Sequence, residues 1–142
     1  MTSGGSYPPA DDLTPASVPR RMSGTDAEPP RLQRAPDAGD AVVLELAGEL
    51  DLAVSADLRT LVDEAAAQQR GLVVMDVTGV GFMDSSVLRE FLRAHRRVAD
   101  GGGRLVLAGA QPTVRRLLEL TGTSEVFALA ESRDAALESG AS

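Results

Sequence analysis

The chain has 142 residues, 43% of them hydrophobic, which suits a single domain with a buried core. Its formal net charge is -7 and its pI about 4.6; all 14 basic residues are arginines, and only Tyr7, Phe82, Phe91 and Phe127 are aromatic. So acidic a surface repels polyanions and so few aromatics offer no platform for stacked bases, which argues against nucleic-acid binding. Cysteine is absent, removing disulfides and thiolate metal sites. No charged-then-apolar leader opens the chain, and no run approaches the roughly 18 to 20 apolar residues of a membrane span. The expectation is a soluble, cytoplasmic protein with no metal, no cofactor and no membrane or nucleic-acid partner.

Seven of the eight prolines fall before residue 40, in a stretch with few large aliphatic side chains to repay the entropy of ordering. Residues 1–40 are therefore expected to be a disordered proline-rich tail, and residues 41–142 the folded domain. Alternation of Val42, Leu44 and Leu46 with Val43, Glu45 and Ala47 predicts a strand ending at Gly48. After the turn Glu49-Leu50-Asp51-Leu52, helical spacing of Leu58, Leu61, Val62 and Ala65 predicts a helix over residues 54–69, stopped by Gly71. Leu72-Val73-Val74-Met75 is a short apolar run, as in a strand covered on both faces.

A helix is predicted over residues 85–100, with Leu88, Phe91, Leu92, Val98 and Ala99 inward and Arg89, Arg93, Arg96 and Arg97 forming a solvated stripe. The Gly101-Gly102-Gly103 loop leads to a buried strand, Leu105-Val106-Leu107-Ala108. Pro112 opens a helix whose stripe is Val114, Leu117, Leu118 and Leu120, with Gly122 at its C-cap. A strand over residues 126–129 and a helix over residues 133–138 complete the chain. Alternating strands and helices predict an α/β fold, a mainly parallel four- to five-stranded sheet with crossover helices.

Residues 80–87, Val-Gly-Phe-Met-Asp-Ser-Ser-Val, leave the carboxyl end of a strand and open the helix at residue 85, on the rim where such sheets collect their sites. Asp84, Ser85 and Ser86 suit N-capping, the commoner role for such residues; the same place would also suit a phosphate, which the helix dipole and first-turn N–H groups stabilise. His95 belongs to a core edge. Nearly three helical turns separate it from Ser85, roughly 15 Å, and the chain has no second histidine for a triad, so no enzyme is expected.

Leu46-Ala47-Gly48-Glu49-Leu50-Asp51, Val74-Met75-Asp76, the Val80 to Ser86 run, Gly103-Arg104-Leu105-Val106 and the stretch from Val114 to Gly122 together resemble the STAS domain of anti-sigma factor antagonists, over roughly residues 41–130. The resemblance implies that Ser85 accepts phosphate from an anti-sigma factor serine kinase. It implies further that the unphosphorylated form binds that kinase and frees a sigma factor, and that a phosphatase resets the switch. No small-molecule substrate is implied. Gly48, Glu49, Asp51 and Asp84 are expected to meet the partner, with Ser85, Ser86, Val87 and Arg89 beside them. Val87 stands where the family usually has glycine, and its branched side chain is expected to face the partner's approach to Ser85. The family's additional first strand has only a poor candidate here, Arg31-Leu32-Gln33-Arg34, with Pro36 close behind it. The alternative function is a scaffold or ligand-sensing module that uses the same fold without phosphorylation.

Overall fold

The computed structural model describes residues 28–141. In chain order the elements are β1 (Arg31–Arg34), β2 (Ala41–Leu50), a 3-10 turn (Leu52–Val54), α1 (Ser55–Ala67), β3 (Leu72–Met83), α2 (Ser85–Asp100), β4 (Arg104–Ala108), α3 (Pro112–Leu120), β5 (Ala128–Ala130) and α4 (Arg133–Ala141). The five strands form one sheet in sequence order; β1 is antiparallel to β2 and every later pair is parallel.

Each parallel strand adds on the same side of its predecessor. Crossovers of one hand then deliver α1, α2 and α3 to a single face. That face holds the main core: Val42, Leu44 and Leu46 of β2 pack with Leu58 and Val62 of α1, Phe91 of α2, and Val114 and Leu118 of α3. The alternate side chains Val43, Val74, Val106 and Ala108 point the other way, where Ala136 of α4 closes a smaller core.

The predicted fold class is the observed one, with several boundaries displaced. The expected tail of residues 1–40 is too long. Arg31–Arg34 forms β1, pairing Leu32 with Leu46, and Ala35 is buried; the part of the predicted tail spanning residues 1–27 lies outside the described residues. β2 continues past Gly48 to Leu50 because Gly48 adopts φ +90°, the left-handed region that glycine tolerates, and keeps the ladder going. β3 runs to Met83 rather than Met75, with Gly79 lying against Ala47 so closely that a Cβ would come within 2.8 Å of the alanine's. α1 ends at Ala67, before Gly71, with Gln69 at φ +49°. Two side chains expected inward lie on the surface, Ala99 and Leu120, the latter 72% exposed in the final residue of α3.

Candidate functional site

The rim is built where the carboxyl ends of β2 and β3 lie side by side. Glu49 pairs with Phe82 and Leu50 with Met83, and the Asp84 N–H donates to the Leu50 carbonyl at 3.2 Å. This brings the end of β2 and Asp51 against the start of α2. Asp51 caps the 3-10 turn, its carboxylate accepting from the Ala53 N–H at 3.0 Å. Asp84 caps α2 with backbone φ of -100°, accepting from the N–H groups of Ser86 at 3.1 Å and Val87 at 3.2 Å.

The two serines have different surroundings. Ser86 is half-buried, and its hydroxyl donates to the Asp84 carboxylate at 2.6 Å. Ser85 is exposed and its hydroxyl has no hydrogen-bond partner among the described residues. Partial burial pushes the Asp84 carboxyl up, but the Ser86 hydroxyl and the N–H groups of Val87, Ser86 and Leu52 outweigh it, holding the group below the ordinary carboxylate range. Asp84 is therefore ionised at neutral pH, beside the free hydroxyl.

Of the other residues expected on this rim, Glu49 and Arg89 are exposed. Two are buried. The Val87 side chain is 0% exposed, inside the main core with Phe91, because the first turn of α2 directs it inward rather than along Ser85. Gly48 is buried under the segment before β1: a Cβ there would meet the Pro29 carbonyl oxygen at 2.3 Å.

Several contributors have no local sequence signal. Leu52 and Phe82 flank the rim with 70% and 44% of their surface exposed, an apolar pair beside the acidic turn. An open groove of about 580 Å³ adjoins Ser86, lined by Leu52, Ser55, Arg59, Arg89 and Glu90 among others. Glu90 is buried, and Arg59 of α1 clamps its carboxylate through two N–H donors, at 2.6 and 3.2 Å. The arginine stripe is only partly a solvated face. Arg93 and Arg97 reach Asp63 of α1 at 3.1 and 3.6 Å, while Arg89 and Arg96 are exposed. His95 is half-buried, with its ring edge-on to Phe127 at 6.0 Å, away from Ser85.

On the opposite face of the sheet, Arg133 of α4 bridges Glu45 and Asp76, which are register partners on β2 and β3. Among the described residues, no group of three or more potential metal ligands occurs, and no helix is long and apolar enough to cross a membrane.

The family model described as STAS domain matches residues 30–136, starting one residue before β1. An anti-sigma F factor antagonist of Paenibacillus polymyxa is 29% identical over 97 residues, which is 68% of this chain and 83% of that protein. The crystal structure of an anti-sigma factor antagonist from Mycobacterium paratuberculosis superposes with a TM-score of 0.70 at 22% identity, covering 85% of this chain and 100% of that one. The unphosphorylated form of the anti-sigma factor antagonist SpoIIAA gives 0.67 at 24% identity, covering 77% and 95%. The two structural likenesses establish the fold, while the family match extends from before β1 into α4: the chain belongs to the STAS domain family.

Proposed function

We propose that the protein is a non-enzymatic anti-sigma factor antagonist that binds an anti-sigma factor kinase through the rim around Ser85 and is released when that kinase phosphorylates Ser85. The carrying observation is the contrast between the serines: Ser85 presents an exposed hydroxyl with no partner among the described residues, whereas Ser86 is tied to Asp84. Curated relatives named as anti-sigma factor antagonists support the general role.

In the transfer, the Ser85 oxygen attacks the γ-phosphorus of ATP, the bond to ADP breaks, and the hydroxyl proton passes to a base of the kinase. The product carries about -1.5 to -2 charges next to the ionised Asp84. In the free domain the α2 N-terminus and water stabilise that charge. In a water-excluding interface it meets like-charge repulsion and loses hydration, so the complex breaks while the fold persists. A phosphatase restores the binding form, and the cycle belongs in the cytoplasm with the sigma factor.

Incubation of the full chain with its cognate kinase and ATP, followed by peptide mass spectrometry, should place one phosphate on Ser85. Ser85→Ala should abolish it and still bind the kinase; Ser86→Ala should leave it in place. Ser85→Asp should weaken binding without lowering the melting temperature. Phosphate confined to Ser86, or undiminished kinase binding by Ser85→Asp, would refute the reading.

A further inference from the structure

The antiparallel direction of β1 has a topological result. The chain upstream of Arg31 leaves the sheet at the carboxyl ends of β2 and β3, beside Ser85, rather than at the opposite edge. The Glu28 carbonyl accepts from the Glu49 N–H at 3.2 Å, and the Pro29 carbonyl sits over Gly48. Glu28 and Pro29, the first described residues, thus lie at the rim.

That rim carries more acid than base, with Arg89 an exposed cation on it, and is partly apolar. Glu49 and Asp51 are exposed, Asp84 is held ionised, and Leu52 and Phe82 stand out between them. Within residues 1–27 the arginines are the adjacent pair Arg20 and Arg21, flanked by Val18-Pro19 and Met22, while the acids Asp11, Asp12 and Asp26 lie elsewhere. Glu28 lies seven positions after Arg21, a reach of up to about 23 to 25 Å. We propose that the Val18 to Met22 segment docks on this rim, its two guanidinium groups on the carboxylates of Glu49, Asp51 and Asp84 and its apolar side chains on Leu52 and Phe82. A short tether supplies a local concentration in the millimolar range, so a contact too weak to form between separate molecules still occupies the rim. Arginine forks suit carboxylates, and such exposed pairs weaken with salt.

The chain has no cysteine, so Ser23→Cys in the full-length protein carries a nitroxide at one defined place, just outside the docked segment. Amide signals of Leu52, Phe82 and Ser85 should then broaden, and those of Gly71 and Gly103 at the other end of the strands should not. Tethering alone gives some broadening, so the deciding comparison is the same labelled chain with Arg20→Glu and Arg21→Glu. The rim broadening should fall by about twofold or more, and should fall likewise in about 0.5 M salt, where the Debye length is roughly 4 Å. Broadening indifferent to both would overturn the proposal. So would broadening of an isotope-enriched, unlabelled chain by a nitroxide-bearing second copy, which would make the occupant another molecule. No kinase is present, so this outcome stands apart from that of the Ser85 experiment.

Discussion

Replacing Val87 with the glycine usual in the family should damage stability and spare the rim. The valine side chain is 0% exposed and packs in the main core. Burial of such a side chain contributes about 1.5 to 3 kcal/mol, and glycine in place of valine in a helix adds roughly 0.3 to 0.5 kcal/mol. Partial collapse of the cavity trims the first contribution and poor relaxation raises it, so the expected cost is about 2 to 3.5 kcal/mol. For a domain of this size, about 4 °C accompanies each kcal/mol, giving a fall of roughly 8 to 14 °C in thermal melts followed by circular dichroism. Val87→Ala should fall between the two. Kinase affinity, measured below both transitions, should match that of the wild type because the side chain never reaches the surface. A fall smaller than about 3 °C, or a marked change in affinity with the fold intact, would refute the placement of Val87 in the core.

Arg133→Met should flatten the acid limb of the stability profile. Hydrogen bonds from Arg133 and then Gln33 hold Glu45 below the ordinary carboxylate range, and at Asp76 burial pushes upward but the donors Thr78 and Arg133 prevail. Because both folded values are depressed, their stabilisation is complete above the unfolded range near about 4 and disappears as pH falls through the folded values. Urea midpoints across that window should fall less steeply for the variant, from a lower neutral plateau; equal slopes would disprove the linkage. Gly48→Ala should cost more than about 1 kcal/mol, since alanine at positive φ is strained and its Cβ would strike the Pro29 carbonyl; a melt unchanged from wild type would contradict this. Asp84→Ala should lose about 0.5 to 2 kcal/mol of capping, and it releases the Ser86 hydroxyl, so phosphate should begin to appear on Ser86 in the kinase assay.

Some of this was legible in the residues and some was not. The ends of α2 are legible because Asp84 supplies a cap and Gly101 a break. Val87 could also have been placed inward, since it lies four residues before Phe91 on the stripe that continues through Ala94 and Val98. β1 has only one apolar side chain to show, Leu32; its outer face needs little more than the Gln33 amide donating to the Glu45 carboxylate. The length of β3 is hidden by Gly79 and Gly81, which read as breaks but here accommodate a bulge and a close strand contact. Glu90 resembles any surface glutamate because its partner, Arg59, lies 31 positions away. On the rim, Asp84 and Ser85 announced themselves through capping chemistry, whereas Leu52 and Phe82 needed three dimensions.

The arginine of α4 also sets a timetable for synthesis. Glu45 and Arg133 are 88 positions apart. At roughly 5 to 20 residues per second, a ribosome adds the cation about 4 to 18 s after the anion. Until then Glu45 and Asp76 sit side by side with uncompensated charge, and the apolar surface of Val43, Val74 and Val106 has no helix over it. The apolar residues of that face therefore wait seconds for the helix that covers them. The helix that completes this second core is far in sequence from Ser85 on the rim.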